Sequence, residues 1–193
     1  MFKRALVRAG IDICYSEGFN PRPKVSLPLP RSVGVESGDE LLCVSVSGVK
    51  DKGELGTLKK RISRQMPFGC EISNVEVSPN RVSFQPESSV YAFSLADGYV
   101  DTARDAAMSL QSRLAGEEAV VVERQKKDGR GSRSIDVGKY IASIEFAGDV
   151  LLVKCNITPA GTIRIDEIMQ LIDIDAGGLS GPVKRESVTW INN

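Results

Sequence analysis

The sequence predicts an α+β protein made of two ferredoxin-like (β-α-β-β-α-β) units in tandem, the first lacking its leading strand. Three observations lead there. Helix-period and strand-period segments alternate in nearly the same order in both halves of the 193 residues. Two prolines spaced i, i+2 mark residues 24–30 as an edge strand, the place that the second strand occupies in such a unit. A hydrophobic share of 41% with 26% charged residues suits a globular chain able to bury a core.

The first half begins with a helix. Phe2, Ala5, Leu6 and Ala9 recur on one face, Lys3, Arg4 and Arg8 lie off it, and Gly10 stops it. No capping residue precedes this helix, which reads as the remainder of something longer. After a turn-rich stretch, Val25, Leu27 and Leu29 alternate with Ser26, Pro28 and Pro30; the prolines withdraw donors from one side, so only the other side can pair. Residues 41–46 (LLCVSV) read as the antiparallel partner. Leu55, Leu58, Ile62 and Met66 predict a helix closed by Pro67 and Gly69, and residues 70–77 alternate as a further strand. This half spans 1–78.

Residues 79–89 read as a linker, and 90–193 as the second half. Residues 90–95 predict a strand, Val100, Ala103, Ala107, Leu110 and Leu114 a long helix ended by Gly116, and 119–123 a strand entering the polar run 124–134. Residues 141–146 and 150–157 form a hairpin across Gly148-Asp149. Ile165, Ile168 and Ile172 mark a last helix before Gly177-Gly178, and 187–191 a last strand.

Composition removes several functions. With no histidine there is no Ser-His-Asp or Cys-His nucleophile system and no imidazole ligand or base. Cys14, Cys43, Cys70 and Cys155 form no C-x-x-C pair, so neither a metal nor a cofactor is expected, and reduced thiols in a cytoplasmic protein are. No apolar run approaches the ~18 residues of a membrane helix. The balance of 25 basic and 25 acidic residues conceals two unlike halves: 13 basic against 9 acidic in 1–86, and 12 against 16 in 87–193.

Two segments are candidates for binding. In 15–24 (YSEGFNPRPK), Gly18 permits a left-handed turn, Asn20-Pro21 initiates one, and Pro21 and Pro23 stiffen the chain. Such a loop can offer Arg22 and Lys24 to a phosphate while Tyr15 or Phe19 stacks on a base. The same residues also read as a stiff connector with its aromatics in the core. The second candidate is the run holding Arg124, Lys126, Lys127, Arg130, Arg133 and Lys139, a mobile basic loop suited to phosphate, or simply a solvated one. Asp136, Asp166, Glu167, Asp173 and Asp175 are carboxylates that no spacing brings together, and no P-loop or dinucleotide fingerprint is present. Catalysis by this chain alone is the weaker reading, and it would rest on carboxylates of the second half, Asp136 among them.

Residues 4–10 (RALVRAG), 15–26 (YSEGFNPRPKVS), 28–37 (PLPRSVGVES), 133–140 (RSIDVGKY) and 164–169 (RIDEIM) together resemble the radical-SAM-linked protein family. The motif positions are Tyr15, Ser16, Gly18, Phe19, Asn20, Pro21, Pro23, Asp136 and Tyr140. Arg22 stands where that family usually has histidine, and the leading strand and Ser-His-Leu-Asp-like turn ahead of the first helix are missing. The resemblance implies a separate radical SAM enzyme as partner. Combined with the basic segments, it implies an accessory module that binds tRNA or rRNA through Tyr15, Phe19, Arg22, Lys24, Arg31, Lys126, Lys127, Arg130, Arg133 and Lys139. The alternative is a subunit that contacts the enzyme and no nucleic acid, which the zero net charge favours.

Overall fold

A computed structural model describes residues 1–48, 52–125 and 131–192. The protein is α+β, and it divides into two compact units: residues 1–28, 41–84 and 192–193 in the first, residues 29–40 and 85–191 in the second. Among the described residues no helix is long and apolar enough to cross a membrane.

In the first unit, helix α1 (Phe2–Arg8) buries Ala5 and Leu6, as the 3.6-residue period demands. Helix α2 (Leu55–Ser63) buries Leu58 and Ile62. Leu6, Ala9, Ile13, Leu58 and Ile62 form the core, with Val25, Leu42, Val44, Ile72 and Val75 packed around it. Arg61 ties the helices together: its Nε and Nη2 donate to Ala9 O at 3.0 and 2.7 Å, and Nη2 also donates to Gly10 O at 2.9 Å. A cation here satisfies carbonyls that the end of α1 leaves open. Strand β1 (Val25–Ser26) pairs antiparallel with β3 (Cys43–Val44).

That ladder is shorter than the predicted 24–30 strand because the prolines on either side cannot donate. Residues 70–77 belong to no strand at all. Ile72 and Val75 both pack against the core, yet they stand three residues apart, a spacing that would put them on opposite faces of a strand. Asn74 Oδ1 takes the Val75 N–H at 2.9 Å, a local bond that competes with a ladder.

The second unit holds a five-stranded sheet. In chain order its strands are β2 (Glu36–Ser37), β4 (Phe84–Ser94), β7 (Ile141–Ala147), β8 (Val150–Asn156) and β9 (Lys184–Asn192), arranged β2-β9-β4-β8-β7. β7 and β8 form the expected hairpin with Gly148 at φ 68°, a backbone that favours glycine. β4 pairs antiparallel with β8, Val90 opposite Lys154. It starts at Phe84, so part of the stretch read as linker is strand. Helix α3 (Val100–Ala115) buries Ala103, Ala107 and Leu110, and α4 (Ile165–Leu171) buries Ile168. These pack with Phe93, Leu151, Val153 and Cys155 into one core.

Two features depart from the predicted second half. Strand β5 (Val121–Gln125) is paired with β6 (Ser132–Asp136) in a separate two-stranded sheet, Arg124 opposite Arg133, where a strand and a loop were expected. The second feature is β2, which runs parallel to β9, Glu36 opposite Lys184. Arg185, 1% exposed, secures this segment: its Nη2 donates to Leu29 O at 3.0 Å and meets Glu40 Oε1 at 2.7 Å. Asp39 Oδ2 accepts the Val188 N–H at 2.8 Å.

Candidate nucleic-acid interface

Residues 14–24 form a tongue whose base is closed by three backbone hydrogen bonds. Cys14 N–H donates to Ser45 O, Ser45 N–H to Lys24 O, and Lys24 N–H to Cys14 O, each at 2.8–2.9 Å. One step out, Tyr15 bridges Pro23. Ser16 N–H donates to Arg22 O at 2.8 Å, and Arg22 N–H donates to Ser16 Oγ at 2.9 Å. The tip turns over residues 17–20 with Gly18 at φ 114°. Its motif residues are therefore mostly turn-makers: Ser16 clasps the arms, Gly18 takes the turn, and Pro21 and Pro23 limit the backbone.

What the tongue presents is Phe19, fully exposed at 105% of its reference area, with Arg22 and Lys24 exposed beside the arms. A large apolar ring held in water by a braced loop is costly to solvate and ready to stack. Tyr15 is part exposed, and Lys3 of α1 lies 5.7 Å from its ring centroid, a cation–π arrangement that links the tongue to α1. The aromatics of this segment are thus at the surface and not in the core.

The other predicted contacts are distributed through the second unit. Arg31, Arg133 and Lys139 are exposed. Lys126, Lys127 and Arg130 lie outside the described residues. Asp136 and Tyr140 have architectural places. Asp136 Oδ1 accepts the backbone N–H groups of Val120 and Gly138 at 3.0 and 3.1 Å, and Tyr140 is buried in the core.

Arg124, counted with the basic run, is not available to a ligand. It is buried against Glu167, Nε to Oε1 at 2.6 Å and Nη2 to Oε2 at 2.7 Å, and Nη2 also donates to Thr162 O at 3.1 Å. Burial alone would raise the Glu167 carboxyl, but the Arg124 hydrogen bonds, the Arg164 N–H and the two nearby guanidinium charges outweigh it and hold the group below the usual carboxylate range. The pairing raises Arg124 in turn. Glu123, on the outer face, is lowered by the hydroxyls of Ser132 and Ser134.

Asp175 is likewise engaged: its Oδ1 accepts from Gly177 and Gly178 N–H. Among the described residues no group of three histidine, cysteine or acidic side chains converges on a metal-sized space. Cys155 is sealed in the core, where burial pushes its thiol up to about 12; burial also raises Cys43.

Residues 1–170 match the model of a protein family described as an uncharacterized protein conserved in bacteria (DUF2344). No curated protein and no solved structure matches the chain.

Proposed function

The chain belongs to this family of uncharacterized bacterial proteins, and from its tongue and its resemblance to radical-SAM-linked proteins we propose that it is a cytoplasmic accessory module that binds RNA, tRNA or rRNA, for modification by a separate radical SAM enzyme. The observation that carries the RNA reading is the braced tongue with Phe19 fully exposed at its tip and Arg22 and Lys24 on its arms. An aromatic face for a base beside cations for the backbone is the combination that single-stranded nucleic acid needs. The strand order β9-β4-β8-β7 supports a ferredoxin-like reading of the second half, since it matches fourth-first-third-second. The first half is read as a reduced version of the same unit. The enzyme partner rests on the resemblance of the tongue and the 133–140 stretch to radical-SAM-linked proteins.

The test is titration of labelled tRNA and of a single-stranded oligoribonucleotide at low salt. The chain should bind both, and binding should weaken as salt rises. Phe19→Ala should weaken binding about tenfold, in line with the ~1–3 kcal/mol of one base–aromatic stack. Absence of binding at low ionic strength sinks the reading.

A second reading is favoured by the equal totals of acidic and basic residues: the tongue inserts Phe19 into the enzyme and touches no nucleic acid. Recovery of a complex of the two proteins free of nucleic acid, and loss of that complex on Phe19→Ala, selects it.

A further inference from the structure

We propose that the groove between α1 and the turn after α2 is a second contact for the same RNA, a site for its phosphodiester backbone gripped by Arg4, Arg8 and Arg64. The groove has a volume of about 480 Å³ and is walled by those three arginines together with Met1, Gln65, Met66 and Pro67. This rests on the RNA reading of the tongue and extends it along the same helix.

Arg4 and Arg8 stand one turn apart on α1, so their side chains lie along one line of the helix surface. Arg64 faces them from just beyond α2, where its own N–H donates to Lys60 O at 3.2 Å. The turn that carries it is held by Gln65 N–H to Ile62 O at 2.9 Å and Met66 N–H to Ser63 O at 3.1 Å. Arg8 Nη2 reaches Gln65 O at 3.4 Å, which joins the two walls.

No acidic side chain lies in the groove's lining to offset its charge. Among the described residues none of the three arginines has a carboxylate partner, whereas Arg113, Arg124 and Arg185 each do. Neighbouring cations of this unit are also engaged: Arg61 with the end of α1, and Lys59 with Ser73 O at 2.7 Å. Three guanidinium groups converging on a groove with no acidic lining repel one another and favour a multiply charged anion that can accept several N–H donors. A polynucleotide backbone supplies such acceptors in series. Lys3 continues this helix to the tongue, where it meets Tyr15, so a strand stacked on Phe19 would find cations along α1.

The experiment is a salt titration of a short labelled single-stranded RNA with the full chain, the Arg4→Gln/Arg64→Gln variant and Phe19→Ala. Each lost phosphate contact removes about 0.7 from the slope of log K against log salt, so the double variant should lower the slope by about 1.4, alike for all base sequences. Phe19→Ala should weaken binding and leave the slope unchanged. An unaltered slope in the double variant overturns the groove while the tongue reading stands. A lowered slope with Phe19→Ala silent supports the groove and removes the tongue. Absence of wild-type binding overturns both. As a check that needs no substitution, the arginine Nε–H resonances of Arg4, Arg8 and Arg64 should shift when RNA is added to the wild-type chain; three unmoved resonances also overturn the groove.

Discussion

The Arg124–Glu167 pair shows how a single residue changes meaning once its surroundings are known. In sequence, Arg124 is one cation among many; in the structure it lies on the inward face of β5, two positions after buried Val122. Period-two alternation through Val120, Val122 and Arg124 held the signal. It is hard to read because the carboxylate that makes burial tolerable lies 43 positions away. Removing one partner strands the other charge, so Glu167→Gln should destabilise the protein by about 3–5 kcal/mol, whereas Arg124→Met with Glu167→Leu should cost far less. Denaturant unfolding measures both. The folded-state pKa of Glu167 is depressed, so its contribution is complete above the unfolded value of about 4.3 and is lost as pH falls through the folded value. The stability gap between wild type and Glu167→Gln should therefore be constant near neutrality and narrow below about pH 4.

Among elements, α1 to α4 and the β7–β8 hairpin were legible because each is local. Apolar spacing and a glycine stop or turn specify them within a few residues. The β5–β6 pairing was not, since β6 is polar and mostly exposed, with only Ile135 part buried, and nothing in its pattern separates a strand from a loop. The tongue was half legible. Its glycine and prolines announced a stiff turn, but whether Phe19 pointed in or out depends on bonds across the arms that no periodicity encodes. Ser16 Oγ is the acceptor for the Arg22 N–H. Ser16→Ala should cost about 1 kcal/mol locally and speed hydrogen exchange at the Arg22 amide about fivefold, with global stability little changed. RNA affinity should fall with it, because a loosened tongue must be ordered on binding.

At the scale of the whole molecule, the α+β class follows from the alternation of periods, but the path of residues 29–40 does not. They contribute a two-residue strand to a sheet whose other members begin at Phe84. A pairing so short and so remote leaves no sequence pattern. Its main anchor is Arg185, so Arg185→Leu should release the segment, and trypsin should cut after the exposed Arg31 sooner than in wild type. The same pairing has a consequence for how the protein is made. Asp39 and its partner Val188 are 149 positions apart. At translation rates of about 5–20 residues per second, on the order of ten seconds pass before β9 exists. Throughout that interval residues 36–37 lack their β9 partner, and an unpaired strand edge is open to wrong pairings and to chaperones.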